Sequence, residues 1–194
     1  MKYYLLPMLA YLFGSISSAV VVCRIMALAD PRTAGSHNPG ATNVLRRGGK
    51  KAAAITLVGD VLKGVIPVLI ARALTDDPMI LATTALMAFF GHLFPVFFSF
   101  RGGKGVATAL GVLLALNLWV GLAVLVTWLL MAVRFRYSSL SALTAALLGP
   151  LYVWFWLPQL PYLSAAIIIS VLLLWRHRSN INNLMNGRET KIGQ

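Results

Sequence analysis

The chain of 194 residues is 59% hydrophobic and only 11% charged, with a net charge of +12 at pH 7. Soluble domains carry about 25% charged residues, so the composition excludes an ordinary soluble domain and favours a lipid surrounding. The longest polar stretch, residues 30–51, is too short to fold separately. We therefore expect residues 1–194 to form a single transmembrane domain, an all-α polytopic membrane protein.

The basic charge indicates anionic partners. Positive excess can serve nucleic acid, anionic lipid or phosphorylated substrates. Here the lysines and arginines lie in short loops between apolar segments. This placement argues against nucleic acid and favours lipid and small phosphorylated molecules.

The first apolar segment, Tyr4–Leu28, has some features of a cleavable signal, because Lys2 precedes it and Ala27-Leu28-Ala29 resembles a cleavage site. However, the apolar run from Tyr3 to Cys23 exceeds the usual core of about 7–15 residues, and Arg24 precedes the cleavage-like residues. We expect a retained first span.

Further apolar segments follow in chain order: Ala52–Arg72, Pro78–Phe98, Val106–Val133, Ser138–Leu157 and Leu160–Trp175. The segment that begins at Val106 is long for one helix of about 20 residues and short for two. Asn117 and Gly121 lie near its middle and favour a break into two short helices. The chain would then have seven transmembrane helices.

The distribution of lysine and arginine supports seven spans. With that count, the loops at 30–51, 99–105 and 134–137 share one face with the C-terminal tail, and that face holds almost all of the positive charge. Because positively charged loops stay in the cytoplasm, we expect the N-terminus outside and the C-terminus in the cytoplasm. One long helix before residue 134 would instead move Arg134 and Arg136 to the outer face.

The first of three polar segments on this face is Gly35–Arg46. It combines glycines, hydroxyls and side-chain amides with a basic cluster. Such a loop can present many backbone N–H groups to an anion. The alternative is an ordinary turn beside charges that only set the topology.

The second polar segment, Phe100–Gly105, is a glycine-rich turn with Lys104 that leads into a predicted helix. Unpaired amides and the helix dipole favour a phosphate there. It is not a Walker A loop, because Gly105 follows the lysine where Ser or Thr is required. The third segment, Arg176–Asn183 followed by Glu189, is basic and rich in amides, which alone is typical of an orientation anchor.

Asp60 and Lys63 lie three residues apart inside the second apolar segment, on one face of the predicted helix. Charges within a membrane are costly and therefore suggest function. Two interpretations remain open: direct catalysis, or a mutual ion pair that locks helix packing near the site. We prefer the ion pair.

Several familiar chemistries are missing from the sequence. None of the three histidines is followed by an acid at the spacing of the His–Asp pair used by many glycerolipid acyltransferases. A Ser-His-acid triad would have only Asp30 or Glu189 as its cytoplasmic acid. The single cysteine, Cys23, and the scattered histidines form no metal-binding pattern, so we expect no metal site.

Together, these segments closely resemble the acyl-phosphate-dependent glycerol-3-phosphate acyltransferases of bacterial inner membranes (the PlsY family). The matching motifs are Gly-Ser-x-Asn-x-Gly-Ala-Thr-Asn-Val-x-Arg (35–46), Asp-Val-Leu-Lys-Gly (60–64), Gly-His-x-Phe-Pro-Val-Phe (91–97), Gly-Gly-Lys-Gly-Val-Ala-Thr (102–108), Tyr-Ser-Ser-Leu (137–140), Arg-His-Arg-x-Asn-Ile (176–181) and Glu-Thr-Lys-Ile (189–192). They occur in the family's order over nearly the whole chain.

The resemblance implies a multi-pass inner-membrane enzyme with its active site at the cytoplasmic surface. The implied reaction moves a fatty acyl group from acyl phosphate to the sn-1 hydroxyl of glycerol 3-phosphate, which gives lysophosphatidic acid and phosphate in phospholipid biosynthesis. No cofactor is implied. The implied partners are glycerol 3-phosphate, fatty acyl phosphate and membrane lipid, with the soluble enzyme that makes acyl phosphate as a further candidate.

The family's functional residues can be carried onto this chain. The implied catalytic set, which would hold the phosphates and the developing oxyanion, is Ser36, Arg46, Lys104, His177 and Asn180. The implied substrate-binding set is Asn38, Gly40, Thr42, Asn43, His92, Gly102, Gly103, Ser139, Arg178 and Glu189. Within it, residues 38–43 would shape the first loop, and the two glycines at 102 and 103 would let the backbone approach a phosphate closely.

Two positions depart from the family pattern. His37 stands where glycine is common, so we expect this loop to be less free to adopt a positive φ there. Asn183 stands where arginine is common, which removes one positive charge from the rim of the site.

The general base is left open between His177 and a substrate phosphate, whose second pKa is about 6. We prefer the phosphate, since the family is thought to use substrate-assisted catalysis. For His92 we prefer a helix-end histidine bonded to backbone over proton transfer. We expect the acyl chain in an apolar groove between spans, and Trp154, Phe155 and Trp156 as outer-face anchors.

Two rival functions come from other classes. A transporter of small phosphorylated anions would need a polar path across the bilayer, and neither such a path nor an internal repeat is visible. A non-catalytic membrane scaffold would leave the three polar segments without a purpose.

Overall fold

The protein, seen here as a computed structural model, is described for residue 3 and residues 5–193. Every regular element in that part of the chain is helical, which confirms the all-α prediction. In chain order the helices are α1 (Leu5–Gly14), α2 (Ser18–Ile25), α3 (Ala41–Leu74), α4 (Pro78–Leu93), α5 (Val106–Leu116), α6 (Leu118–Phe135), α7 (Ser138–Trp156), α8 (Leu160–Arg176) and α9 (Arg178–Met185), with a 3-10 turn at Val96–Phe98.

Within the described residues, five segments are long and apolar enough to cross a membrane: Leu5–Ile25, α3, Pro78–Phe98, α6 and α7. A sixth is α8 taken together with α9, which is bent from it by 57°. Helix α5 is apolar but has only 11 residues, about 17 Å of helix against a hydrocarbon core of about 30 Å. Length and composition therefore establish five or six spans, and the predicted seventh depends on α5.

The predicted break in Val106–Val133 is present and lies at Asn117. This residue has an extended backbone between α5 and α6, and its side chain accepts the N–H groups of Trp119 at 2.9 Å and Val120 at 3.1 Å. It therefore caps the N-terminus of α6. Gly121 supports the same turn, because a Cβ there would come within 2.5 Å of the Leu114 side chain.

The first span contains a break that the hydropathy pattern did not predict. Helix α1 ends at Gly14 and α2 begins at Ser18. The carbonyl of Ile16, in the break, accepts a hydrogen bond from Lys63 Nζ of α3 at 2.9 Å. A charged side chain from a neighbouring helix thus satisfies a backbone group that the break leaves unpaired.

Helix α3 begins earlier than predicted. Its first turns begin at Ala41 and therefore include the last residues of the polar segment 35–46. A kink with φ 78° at Gly49 separates these turns from the apolar part of the helix. The polar residues of this segment are therefore held on a helix end as well as in a loop.

Small residues bring α3 and α5 into close contact. A Cβ at Gly64 would lie 2.5 Å from the Thr108 carbonyl oxygen, and one at Gly111 would lie 2.2 Å from that of Val61. Close backbone approach at glycine is typical of packing between membrane helices. Asp60, Lys63 and Thr108, which belong to these two helices, and His92 of α4 are all buried.

Candidate active site

A cavity of about 350 Å³ opens where the polar segments meet. It is lined by all of the predicted site residues except Gly102, Gly103 and Arg178. The remainder of its wall is mainly apolar and comes from α3, α5, α6 and α7, including Leu57, Val61, Leu110, Val124 and Trp128. One end of the cavity is therefore polar and cationic, and the other is suited to hydrocarbon.

Asn43 organises the first loop. It is 2% exposed, and its Nδ2 lies within hydrogen-bond distance of the carbonyls of Pro31 (2.9 Å), Ala34 (3.0 Å) and Asn38 (3.1 Å). Its Oδ1 accepts the backbone N–H of Ser36 at 3.2 Å. The loop is thus wrapped around one buried amide, which presents the Ser36 hydroxyl at the cavity.

His37 adopts a positive φ of 55°, contrary to the expectation that a residue other than glycine would restrict this conformation. Its ring Nδ1 donates to the Arg32 carbonyl at 3.3 Å, and this contact helps to offset the strain of the left-handed backbone. Gly35, two residues earlier, has a φ of 65°.

A chain of hydrogen bonds joins four predicted site residues. Lys104 Nζ donates to Asn180 Oδ1, Asn180 Nδ2 donates to Glu189 Oε1 at 2.8 Å, and Ser139 Oγ donates to the same oxygen at 2.8 Å. Because Glu189 can only accept, it orients the Asn180 amide with its oxygen toward Lys104. The α5 loop, α7, α9 and the C-terminal tail thereby converge at one point.

Cationic charge is concentrated at this point. Burial lowers the pKa of Lys104, Glu189 opposes that effect, and the nearby Arg176 and Arg46 lower the pKa further. The N-terminus of α5, which follows Lys104 directly, also lines the cavity through Val106 and Ala107. Excess positive charge next to free helix amides favours a bound anion such as phosphate.

His177 follows the predicted last span, Leu160–Trp175, and lies at the bend between α8 and α9. It is buried and lines the cavity. Its Nδ1 donates to the Leu173 carbonyl at 2.8 Å, which leaves Nε2 as an acceptor in the neutral ring. Desolvation by burial lowers the pKa of His177 to about 4. The hydrogen bond to Leu173 and the charge of Glu189 raise this pKa, while the positive charges of Lys104 and Arg176 lower it. The ring is thus a neutral hydrogen-bond acceptor at neutral pH.

Gly102 and Gly103 lie behind the cavity wall. The Gly103 N–H donates to the His92 carbonyl at 3.2 Å. Arg176 holds the two glycine carbonyls, with Nη2 2.7 Å from Gly102 O and Nε 3.1 Å from Gly103 O. A Cβ at Gly102 would lie 2.1 Å from the His92 oxygen. These glycines therefore position Lys104, and the Gly103 amide is already engaged within the protein.

A buried polar cluster lies beside this turn, where α3, α4 and α5 meet. Asp60 Oδ1 is 2.9 Å from Lys63 Nζ, which confirms the predicted ion pair. Thr108 Oγ1 donates to the Asp60 carbonyl at 2.9 Å and therefore accepts from His92 Nδ1, 3.2 Å away. The preferred assignment of the His92 ring to a backbone partner is wrong: its partners are Thr108 and, at 3.6 Å, the Asp60 carboxylate.

Arg178 is exposed and lies away from the cavity, with its guanidinium 5.0 Å from the centre of the Trp175 ring. Sequence reasoning did not assign Arg176 or Thr190 to the site, and for Asp60 it preferred an ion pair near the site over direct catalysis. The basic segment that begins at Arg176 is typical of an orientation anchor. No local pattern marks Arg176 as the partner of two glycine carbonyls more than 70 residues away. Among the described residues, no three His, Cys, Asp or Glu side chains come together as a metal site.

The fold and site define the class of the protein: a helical membrane protein with a cavity that is cationic and polar at one end and apolar at the other. The chain belongs to the glycerol-3-phosphate acyltransferase family, since the family model of that description matches residues 4–187. The predicted family is thus confirmed.

Curated relatives named glycerol-3-phosphate acyltransferase are similar over almost the full chain. The protein of Thioalkalivibrio sulfidiphilus is 58% identical over 184 residues, which cover 95% of this chain and 91% of the relative. That of Methylococcus capsulatus is 55% identical over 190 residues, 98% and 96% of the two chains.

Solved structures show the same fold. The glycerol 3-phosphate form of PlsY, an integral membrane glycerol 3-phosphate acyltransferase, matches with a TM-score of 0.94 and 42% identity over 100% of this chain and 96% of that one. The lysophosphatidic acid form matches with a TM-score of 0.91 and 41% identity over the same shares.

Proposed function

We propose that this membrane enzyme transfers a fatty acyl group from acyl phosphate to the sn-1 hydroxyl of glycerol 3-phosphate, with the 350 Å³ cavity as its active site. The observation that carries the proposal is that one cavity has a cationic, amide-lined end and an apolar end. An acyl phosphate has the same two parts. The related PlsY structures hold glycerol 3-phosphate in one form and lysophosphatidic acid in the other.

The polar end accounts for phosphate recognition. Lys104 and Arg46 supply positive charge, Ser36 a hydroxyl, and the N-terminus of α5 unpaired N–H groups, all along one cavity wall. Charge-assisted hydrogen bonds of this kind are shorter and about twice as strong as neutral ones. Asn38, Gly40 and Thr42 would shape the loop that carries Ser36, whereas Arg178 lies outside the cavity and is given no direct contact with substrate.

The reaction needs no covalent intermediate, because acyl phosphate is already activated. The sn-1 oxygen attacks the acyl carbonyl carbon, the bond from that carbon to the phosphate oxygen breaks, and inorganic phosphate leaves. Lys104 and Asn180, which are hydrogen-bonded to each other at the polar end of the cavity, would stabilise the oxyanion and the leaving phosphate. The hydroxyl proton passes to a base.

The substrate phosphate is the better base. A group that accepts a proton near neutral pH should have a pKa close to it. The pKa of His177 is about 4, whereas a phosphate monoester has a second pKa of about 6. We assign to His177 Nε2 the role of a neutral acceptor that orients the attacking hydroxyl.

The proposed topology has seven spans in a single domain, with α5 as a short span. Four parts of the chain line the cavity together: the loop at 36–46, Lys104, Ser138 with Ser139, and residues 177–190. They therefore belong to one membrane face. Because this face carries most of the lysine and arginine, we assign it to the cytoplasm of a bacterial inner membrane.

The test is turnover by purified protein in detergent or lipid, supplied with palmitoyl phosphate and glycerol 3-phosphate. Formation of lysophosphatidic acid with equimolar phosphate supports the proposal. Lys104→Ala should lower the rate by roughly 100–1,000-fold. Lys50→Ala, which removes an exposed lysine outside the cavity, should leave the rate unchanged. Uptake of glycerol 3-phosphate into vesicles without acyl transfer would instead favour the transporter.

A further inference from the structure

A second, smaller cavity lies behind the active-site cavity, between α5, α6, α7 and α8, with a volume of about 30 Å³. Its lining is apolar apart from Ser170. The Ser170 hydroxyl donates to the Ala146 carbonyl at 2.7 Å, so its hydrogen-bonding proton is not available to a ligand. Apolar cavities of this kind stay dry and accept apolar groups.

The two cavities share part of their walls. Val106, Leu110, Val124, Ala142 and Ala145 line both of them. The smaller one then continues along α7 as far as Gly149 and Pro150. From Ser139 at the polar end to Gly149 the helix rises about 15 Å, so the Gly149 end of the smaller cavity lies far from the polar residues.

Gly149 has free space beside its Cα, unlike the glycines at the close contact between α3 and α5. A Cβ at Gly64 or Gly111 would collide with backbone at 2.5 or 2.2 Å, whereas at Gly149 it would meet only Val124 Cγ2, at 4.0 Å. A methyl group therefore fits at residue 149 without displacing any neighbour. The missing side chain leaves the end of the cavity open.

We infer that Gly149 sets the upper length of the acyl chain: the terminal carbons of a long chain enter the space beside Gly149 and Val124. This inference rests on the proposed function. A cavity of about 30 Å³ holds roughly two water-sized groups, which corresponds to the last one or two carbons. A side chain at residue 149 would fill that space and shorten the preferred chain.

The experiment compares kcat/KM for decanoyl, lauroyl, myristoyl, palmitoyl and stearoyl phosphate in the wild type, Gly149→Ala and Gly149→Leu. Pockets discriminate one methylene by about 10-fold or more, so the ratio of palmitoyl to lauroyl phosphate should fall about 10-fold in Gly149→Leu and less in Gly149→Ala. The KM for glycerol 3-phosphate and the rate with decanoyl phosphate should stay unchanged. Leu151→Phe adds bulk on the exposed side of the same helix and should keep the wild-type profile.

An unchanged chain-length profile in Gly149→Ala and Gly149→Leu, with the wild type active, would overturn the inference. The tail would then leave between α3 and α6, where Leu57 and Leu129 are 47% and 46% exposed. If Gly149→Leu does not fold, Gly149→Ala decides alone, because its methyl fits. A wild type inactive with every acyl phosphate would overturn the proposed function, and the inference with it.

Discussion

Glu189 Oε1 accepts a hydrogen bond from Asn180 Nδ2 at 2.8 Å. Through this contact the C-terminal tail orients the Asn180 amide so that its oxygen faces Lys104. The same carboxylate oxygen accepts the Ser139 hydroxyl at 2.8 Å. Glu189 is the acidic side chain of the site's polar rim, yet its role is to place an amide oxygen next to an ammonium. The tail is also held by Arg136, whose carbonyl accepts the Ile192 N–H at 2.6 Å.

Replacement of Glu189 should therefore disturb Lys104 indirectly, through Asn180. In Glu189→Ala the Asn180 amide is free to turn its nitrogen toward the ammonium, and we expect a loss of roughly 10–100-fold in kcat/KM, the usual range for a residue that orients another. Glu189→Gln keeps an acceptor oxygen and should retain more activity. Steady-state kinetics with Arg188→Ala, an exposed neighbour outside the cavity, as control would test this; equal losses in the Gln and Ala variants would contradict it.

Lys104 itself should be far less replaceable. Lys104→Ala removes the ammonium from the polar end and should lower kcat/KM by roughly 100–1,000-fold, as for other groups that stabilise a developing charge. Arg46→Ala should also be severe, because no neighbouring residue replaces its charge. Initial rates with both substrates varied would measure the effect, and near-normal activity in either variant would place the site elsewhere.

Lys104 should also set the alkaline limit of activity. Burial lowers its pKa below the ordinary value of 10.5, and phosphate binding needs the charged form. The profile of kcat/KM, which reports the free enzyme, should therefore decline at a pH below 10.5. In Lys104→Arg the guanidinium stays charged, so any remaining activity should persist to higher pH; an unchanged alkaline limit would show that another group titrates.

The sequence predicts the fold well where the signal is local. Asn117 interrupts an apolar run, and its side chain caps the helix that follows. The break at residues 15–17 has no such local mark. It is stabilised by Lys63 from another helix, a contact that hydropathy does not reveal.

The same limit applies to the site. Glycines followed by a lysine predicted a phosphate loop, and Lys104 does line the cavity. That the glycine carbonyls are held by Arg176 depends on the packing of α8 against α4. His37 likewise takes a positive φ, and its ring contacts the Arg32 carbonyl, a contact that composition does not show.

The pH dependence at the acidic side separates the two candidate bases. If the substrate phosphate accepts the proton, kcat should decline as the pH falls through about 6. In His177→Asn the rate should drop, but this acidic limb of the pH profile should remain at the same pH. If His177 were the base, the acidic limb would lie near the His177 pKa of about 4, because the ring becomes protonated only below that value. The limb would then be absent from His177→Asn. Rates from pH 4 to 8 at saturating substrate decide between these outcomes.

The buried pair of Asp60 and Lys63 should matter to stability more than to chemistry. Their side chains are 3% and 5% exposed, and removing one partner of such a pair leaves an uncompensated buried charge, which costs about 3–5 kcal/mol. Asp60→Ala should therefore lower the free energy of unfolding by that amount. The double variant Asp60→Leu, Lys63→Met removes both charges and should lose less, although it also leaves the Ile16 carbonyl without its donor. Unfolding in detergent measures both. A stable Asp60→Ala beside an unstable double variant would show that the hydrogen bond to Ile16, rather than the ion pair, stabilises this part of the fold.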